Sequence, residues 1–165
     1  MSTIKVVRAE RAGGSTKGTS GASTRHGSDQ PFRTGRVYAD FVVDGFPLSS
    51  IVRRKADFIS ALGWGPEQTQ RSVVDRLLLH TPADLPLNRN SLYVCPECGD
   101  LSCGAVSALI ERRGDTIGWR DFAYENDYQS DPPDRRHLES LGEYTFSWTE
   151  YDTAIRQGFG LGGFE

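Results

Sequence analysis

No stretch of this chain approaches the about eighteen consecutive apolar residues that a membrane-spanning helix needs, and Met1-Ser2-Thr3-Ile4-Lys5 has no apolar signal core behind it. Both absences point to the cytoplasm and away from a membrane. Charge of one sign is also missing. Its 19 basic and 22 acidic residues leave a net charge of −3, too weak a field to draw the chain onto phosphate backbones, so nucleic acid is not an expected partner. Cysteine is scarce. The three present, Cys95, Cys98 and Cys103, are odd in number and crowded together, unlike the even, spread-out set that staples a secreted domain. Reduced thiols or thiolates are expected.

What is present suffices for one core. A length of 165 residues fits a single domain, and 37% apolar residues together with 18 glycines give the composition of a chain that folds. Residues 1–11 carry a short strand pattern in Ile4 and Val6. Residues 12–35 turn to Gly, Ser and Thr, too polar to bury a face, and read as a flexible loop. The α+β domain is expected over 36–157. It opens with Val37, Ala39, Phe41 and Val43 alternating along a strand, followed by Asp44-Gly45, the pair that a two-residue hairpin loop favours.

Phe46-Pro47-Leu48 suits only a sheet edge. Ser49 or Ser50 can cap a helix to about Leu62, with Gly63 as its stop. A second helix is predicted from Pro66 to His80, ended by Pro82. Leu92 to Val94 makes a short strand. The clearest hairpin joins Ala105–Arg112 to a partner carrying Ile117, Trp119 and Phe122 through Arg113-Gly114-Asp115.

Glu125 to Glu143 is acidic and aperiodic, which predicts a surface excursion. Tyr144, Phe146 and Trp148 alternate as a strand, and Thr149 with Asp152 has the spacing of a cap for a helix over Glu150 to Gln157. Residues 158–165 read as a flexible tail. Hairpins and helices in separate blocks predict an α+β fold, a mainly antiparallel sheet packed against two or three helices.

Chemistry concentrates in Cys95-Pro96-Glu97-Cys98-Gly99-Asp100-Leu101-Ser102-Cys103-Gly104. Two thiols two residues apart in a tight turn converge, and the glycine eases the bend. The five-residue core resembles the knuckle of a zinc ribbon, which implies zinc. A ribbon supplies a second Cys-x-x-Cys, and no further cysteine exists here, so His80, His137, Asp100 or a partner has to supply the fourth donor. The longer string, with the hairpin ending Trp119-Arg120-Asp121-Phe122, resembles a family of small uncharacterised bacterial proteins. That resemblance implies only that cluster and hairpin form one unit.

Two other uses of the thiols stay open. Small side chains of this kind pack at sheet ends. Redox work places Cys-x-x-Cys at a helix N-terminus, where the dipole activates the first thiol, whereas a strand pattern follows here; Cys103 could still act as a resolving thiol.

Other motifs carry less. Gly13-Gly14-Ser15-Thr16-Lys17-Gly18-Thr19 has glycines and a lysine, but the lysine precedes the glycine it has to follow in a phosphate loop, and no helix pattern comes next. His26 falls in the loop, His80 at a helix end and His137 in the excursion. Glu111, Asp121, Glu125 and Asp127 could gather carboxylates, although solvated strand charges are the commoner use. Trp119, Tyr124, Tyr128 and Trp148 suit core and rim better than a stacking platform.

Two function classes follow. The first is a non-enzymatic protein-binding or regulatory domain of the immunity type, an analogy of size and composition, with another protein as partner and metal at the knuckle. The second is a thiol-dependent enzyme, an oxidoreductase or cysteine nucleophile, centred on Cys95 or Cys98. The binder ranks first, because the enzyme needs a second adjacent group that the sequence does not place.

Overall fold

The computed structural model describes residues 1–14, 33–126 and 132–165. Most of the 12–35 loop, including Ser15 to Thr19 and His26, lies outside the described residues, as do Asp127 and Tyr128.

The fold is α+β, built on two antiparallel sheets. Strands β1 (Ile4–Arg11) and β2 (Arg36–Val43) pair along their whole length, from Ile4 opposite Val43 to Arg11 opposite Arg36. The Asp44-Gly45 turn then leads to β3 (Phe46–Pro47), with φ of 51° and 80° at the two loop residues, the left-handed pair that a two-residue hairpin requires. The second sheet runs in the order β4 (Ile59–Ser60), β5 (Arg89–Val94), β6 (Ala105–Arg113), β7 (Thr116–Glu125) and β8 (Tyr144–Ser147).

Backbone bonds tie the sheets together. Ala39 donates to the Leu62 carbonyl at 3.0 Å, and Ser2 donates to that of Thr145 at 2.8 Å. Helices α2 (Glu67–Leu77) and α3 (Trp148–Gly158) contribute Val74, Leu77, Tyr151 and Ile155 to the main core. Trp119 stands at its centre, edge-on to Phe41 at 5.1 Å and to Phe146 at 5.5 Å. Its indole N–H is satisfied inside the core by the Tyr151 hydroxyl at 3.2 Å, which in turn donates to the Leu77 carbonyl. No helix among the described residues is long and apolar enough to cross a membrane.

The first expected helix is largely absent. Helix α1 (Ser49–Val52) makes one turn, and of the residues predicted to extend it Ile59 and Ser60 form β4 instead. Phe58, Ile59, Ser60, Ala61 and Leu62 are all buried, a continuous run that one face of a surface helix cannot accommodate. Ser60 settles the matter locally. Its hydroxyl donates to the Ala39 carbonyl at 2.5 Å and accepts from the Leu62 amide at 3.0 Å, so it bridges both sheets.

The second helix ends three residues early. Leu79 adopts φ of 62°, while Leu79 and His80 donate back to the carbonyls of Arg76 and Asp75, a Schellman ending with leucine where glycine is usual. Strand β5 begins three residues early. Its polar half, Arg89, Asn90 and Ser91, is buried because tertiary partners satisfy it. The cap of α3 is Ser147, whose hydroxyl accepts from the Glu150 amide, and not Thr149; Asp152 pairs with Arg156 instead.

Two segments expected at the surface are anchored. In the excursion, Leu138 and Leu141 enter the core and Asp134 exchanges two backbone bonds with Tyr124. The expected flexible tail closes against Gly63 and Gln70. Gly162 donates to the Gly63 carbonyl at 2.8 Å, and a Cβ at Gly162 would overlap the carbonyl of Val37.

Candidate metal centre

The thiol cluster grows out of the end of β5. Cys95 follows Val94 directly, buried Pro96 starts the turn, and Gly99, at φ of 68°, donates to the Cys95 carbonyl at 2.8 Å. Asp100 then caps a single tight turn, Leu101–Cys103, by accepting from the Ser102 amide at 2.8 Å. That turn swings Cys103 back over the knuckle. Gly104, at φ of 100°, lets the chain pass the ring of Tyr124, which a Cβ there would strike, and β6 begins. As a result the three sulfurs lie within 4.8 Å of one another, with Cys98 and Cys103 at 3.4 Å. Three nearby cysteines in this arrangement can hold a metal ion.

Backbone amides point at the sulfurs, as a metal-bound thiolate requires. The Asp100 N–H reaches Cys98 Sγ at 3.4 Å. Partial burial works against ionisation of Cys95, but N–H donors from Cys98 and Glu97, with the two other thiols, outweigh it and hold its pKa below the usual thiol value. Cys103 moves the opposite way, pushed up to about 11 by its bond with Cys98, by burial and by the charge of Cys95 and Cys98. Anionic sulfurs at this distance repel one another, and a bound cation removes that repulsion.

The N-terminal sheet clamps the knuckle. Glu97 accepts from the Thr34 amide at 3.2 Å and from Arg11 at 2.8 Å, and these bonds bring its pKa down to about 2. Arg36 donates to the Pro96 carbonyl at 2.7 Å while its guanidinium lies 4.7 Å above the Trp64 ring, which a Cβ at Gly99 would meet at 3.4 Å. None of these supports is visible in the sequence, because residues 11, 34, 36 and 64 become neighbours of the knuckle only through sheet pairing.

Comparison with protein-family models, curated sequences and solved structures returns no match to this chain. The case for the site therefore rests on its geometry.

The expected fourth donors are elsewhere. His80 sits half-exposed at the end of α2, 3.5 Å from Asp75, and His137 occupies an exposed turn with φ of 68°. The Asp100 carboxylate is committed to Ser102. Among the described residues, only the three cysteines converge in a metal-ligand group.

Of the other candidate carboxylates, the three among the described residues are paired with arginine. Glu111 pairs with Arg120 at 2.9 Å. Arg89, almost wholly buried, binds Glu125 at 2.7 Å and Asp121 at 2.9 Å, and Arg135 holds both oxygens of Asp121. A cavity of about 490 Å³ opens beside the thiols, bounded by Cys98 and Leu101 on one side and by α2 and β5 on the other. Cys98 apart, its residues carry no sequence signal, since Trp64, Arg76, Asp84 and Ser91 meet only in the fold.

Proposed function

We propose that this chain is a small zinc-dependent binding protein, non-enzymatic and regulatory in the manner of an immunity-type partner, acting in a reducing cytoplasm. Cys95, Cys98 and Cys103 bind the ion, which fastens β5 to β6. The fourth coordination position accepts a donor from outside the knuckle. One observation carries the metal part of this reading: three sulfurs converge on a turn whose amides face them, held by Arg11 through the Glu97 carboxylate and by Arg36 through the Pro96 carbonyl. Thiolate donors in a small tetrahedral set favour zinc over oxygen-seeking ions such as magnesium or calcium.

Zinc analysis of protein purified without chelator, paired with thiol counting before and after denaturation, tests it. About one zinc per chain with thiols masked until unfolding is the expected result. Metal-free protein with a thiol that reacts fast at about pH 6 would sink it. That second outcome belongs to a thiol-disulfide enzyme, which the 3.4 Å approach of Cys98 to Cys103 favours and the strand after the cluster disfavours.

A further inference from the structure

We propose that the cavity beside the knuckle binds a small apolar thiol whose sulfur completes the coordination of the metal. The proposal rests on the zinc reading above and names the ligand that the open position takes.

Three features of the cavity select such a molecule. Its volume, about 490 Å³, lies in the range that holds small organic ligands. Of the three thiols Cys98 alone lines it, beside Leu101 and the apolar Trp64, Val73 and Val94, so a molecule lying on those side chains has its end at Cys98. Its charges are already spent. Arg36 pairs with Glu165 at 2.5 Å, and Arg76 is 3.4 Å from Asp84 and donates to the Ser91 carbonyl at 3.0 Å.

With Arg36 and Arg76 both paired, the wall offers a phosphate or carboxylate headgroup no free side-chain cation. The donor has to match the metal instead. A zinc ion already held by three thiolates takes a further soft ligand readily, and sulfur is the soft donor that a small molecule most simply carries. On binding, the S–H proton passes to solvent, a zinc–sulfur bond forms and a water leaves; no electron moves. The Trp64 indole is fixed for this task, because its N–H is engaged by the Ser60 carbonyl at 2.8 Å and its face is pinned by Arg36.

Full-length protein loaded with cobalt(II) reports on the fourth donor, since each thiolate adds to the charge-transfer absorption. Phenylmethanethiol is expected to raise that absorption by about a third, from three sulfurs to four. Phenylmethanol, of the same shape without sulfur, is expected to leave it unchanged. Thr69→Trp, at an exposed position on the α2 wall, is expected to weaken phenylmethanethiol binding by about tenfold or more with cobalt stoichiometry intact. Val73→Trp serves as a second block from the same helix.

Loss of cobalt binding in the parent protein would defeat the zinc reading itself, and is seen before any thiol is added. Cobalt that binds but ignores phenylmethanethiol overturns the ligand proposal alone. So does equal affinity in both tryptophan variants, or equally tight binding of hydrophilic 2-mercaptoethanol, because either means that sulfur reaches the metal from open solvent.

Discussion

Two polar clusters stand at opposite ends of strand β5, one around Arg89 and one directly after Val94, and differ in how they are completed. Around Arg89 every charge finds a partner within the chain: Glu125, Asp121 and Ser107 surround the guanidinium, and Arg135 closes the outer side of Asp121. Around Cys95 the donors converge on a point that no fourth side chain among the described residues reaches, and two of the three sulfurs are exposed. A cluster that closes on itself holds the sheet together. One that remains open could hold a metal ion.

The contrast can be broken most forcefully at Arg89. Arg89→Met leaves Glu125 and Asp121 without their buried cation, and a loss of about 3–5 kcal/mol in unfolding free energy is expected from urea denaturation. A loss below about 1 kcal/mol would mean that the closed cluster does not support the fold.

Metal comes next. On the proposed zinc reading, chelation should lower the stability of the zinc-loaded parent protein by about 4 kcal/mol relative to a thousandfold excess of zinc over Kd, while Cys98→Ser should show no chelator effect. Equal responses in parent and variant would place the metal elsewhere.

Acid probes the closed cluster more gently. The bonds of Arg135 and the charge of Arg89 hold Asp121 at about 2, below the usual aspartate value of about 4. Its contribution is therefore present above about pH 4 and lost as pH falls through about 2. The difference in unfolding free energy between the parent and Asp121→Asn should shrink over that interval. Asparagine suits the test because it tolerates the left-handed backbone, φ 56°, that Asp121 adopts. A constant difference across the window would remove Asp121 from the account.

The smallest effect is expected at the open cluster without metal. Cys103→Ser in chelated protein should change stability by less than about 0.5 kcal/mol, since an exposed thiol with no ion to bind contributes little. A larger loss would show the cysteines acting as packing.

The hairpins at Asp44-Gly45 and Gly114-Asp115 and the helix after Pro66 are legible in the amino-acid order, because turn chemistry and periodicity act between residues a few positions apart. The cap of α3 differs from the expected Thr149 and Asp152, although Ser147-x-x-Glu150, two positions upstream, carries the usual local signal. The β4 strand was not. Its apolar run fits either element, and the deciding partners, Ala39 and Val94, are distant in the chain. The polar opening of β5 was hidden for a similar reason: Arg89 reads as a surface residue until Glu125 and Asp121 are brought to it.

What the sequence determined alone is the thiol knuckle itself, because Cys95, Cys98 and Cys103 lie close enough for a local turn and its glycines to bring them together. Whether a histidine would join them was a question of distance across the fold, and only the tertiary structure decided it, leaving His80 with Asp75 and His137 in an exposed turn. The clamp from Arg11 and Arg36, the Trp64 wall and the cavity beside Cys98 likewise exist only once the two sheets meet. Sheet pairing, and not local order, sets those distances.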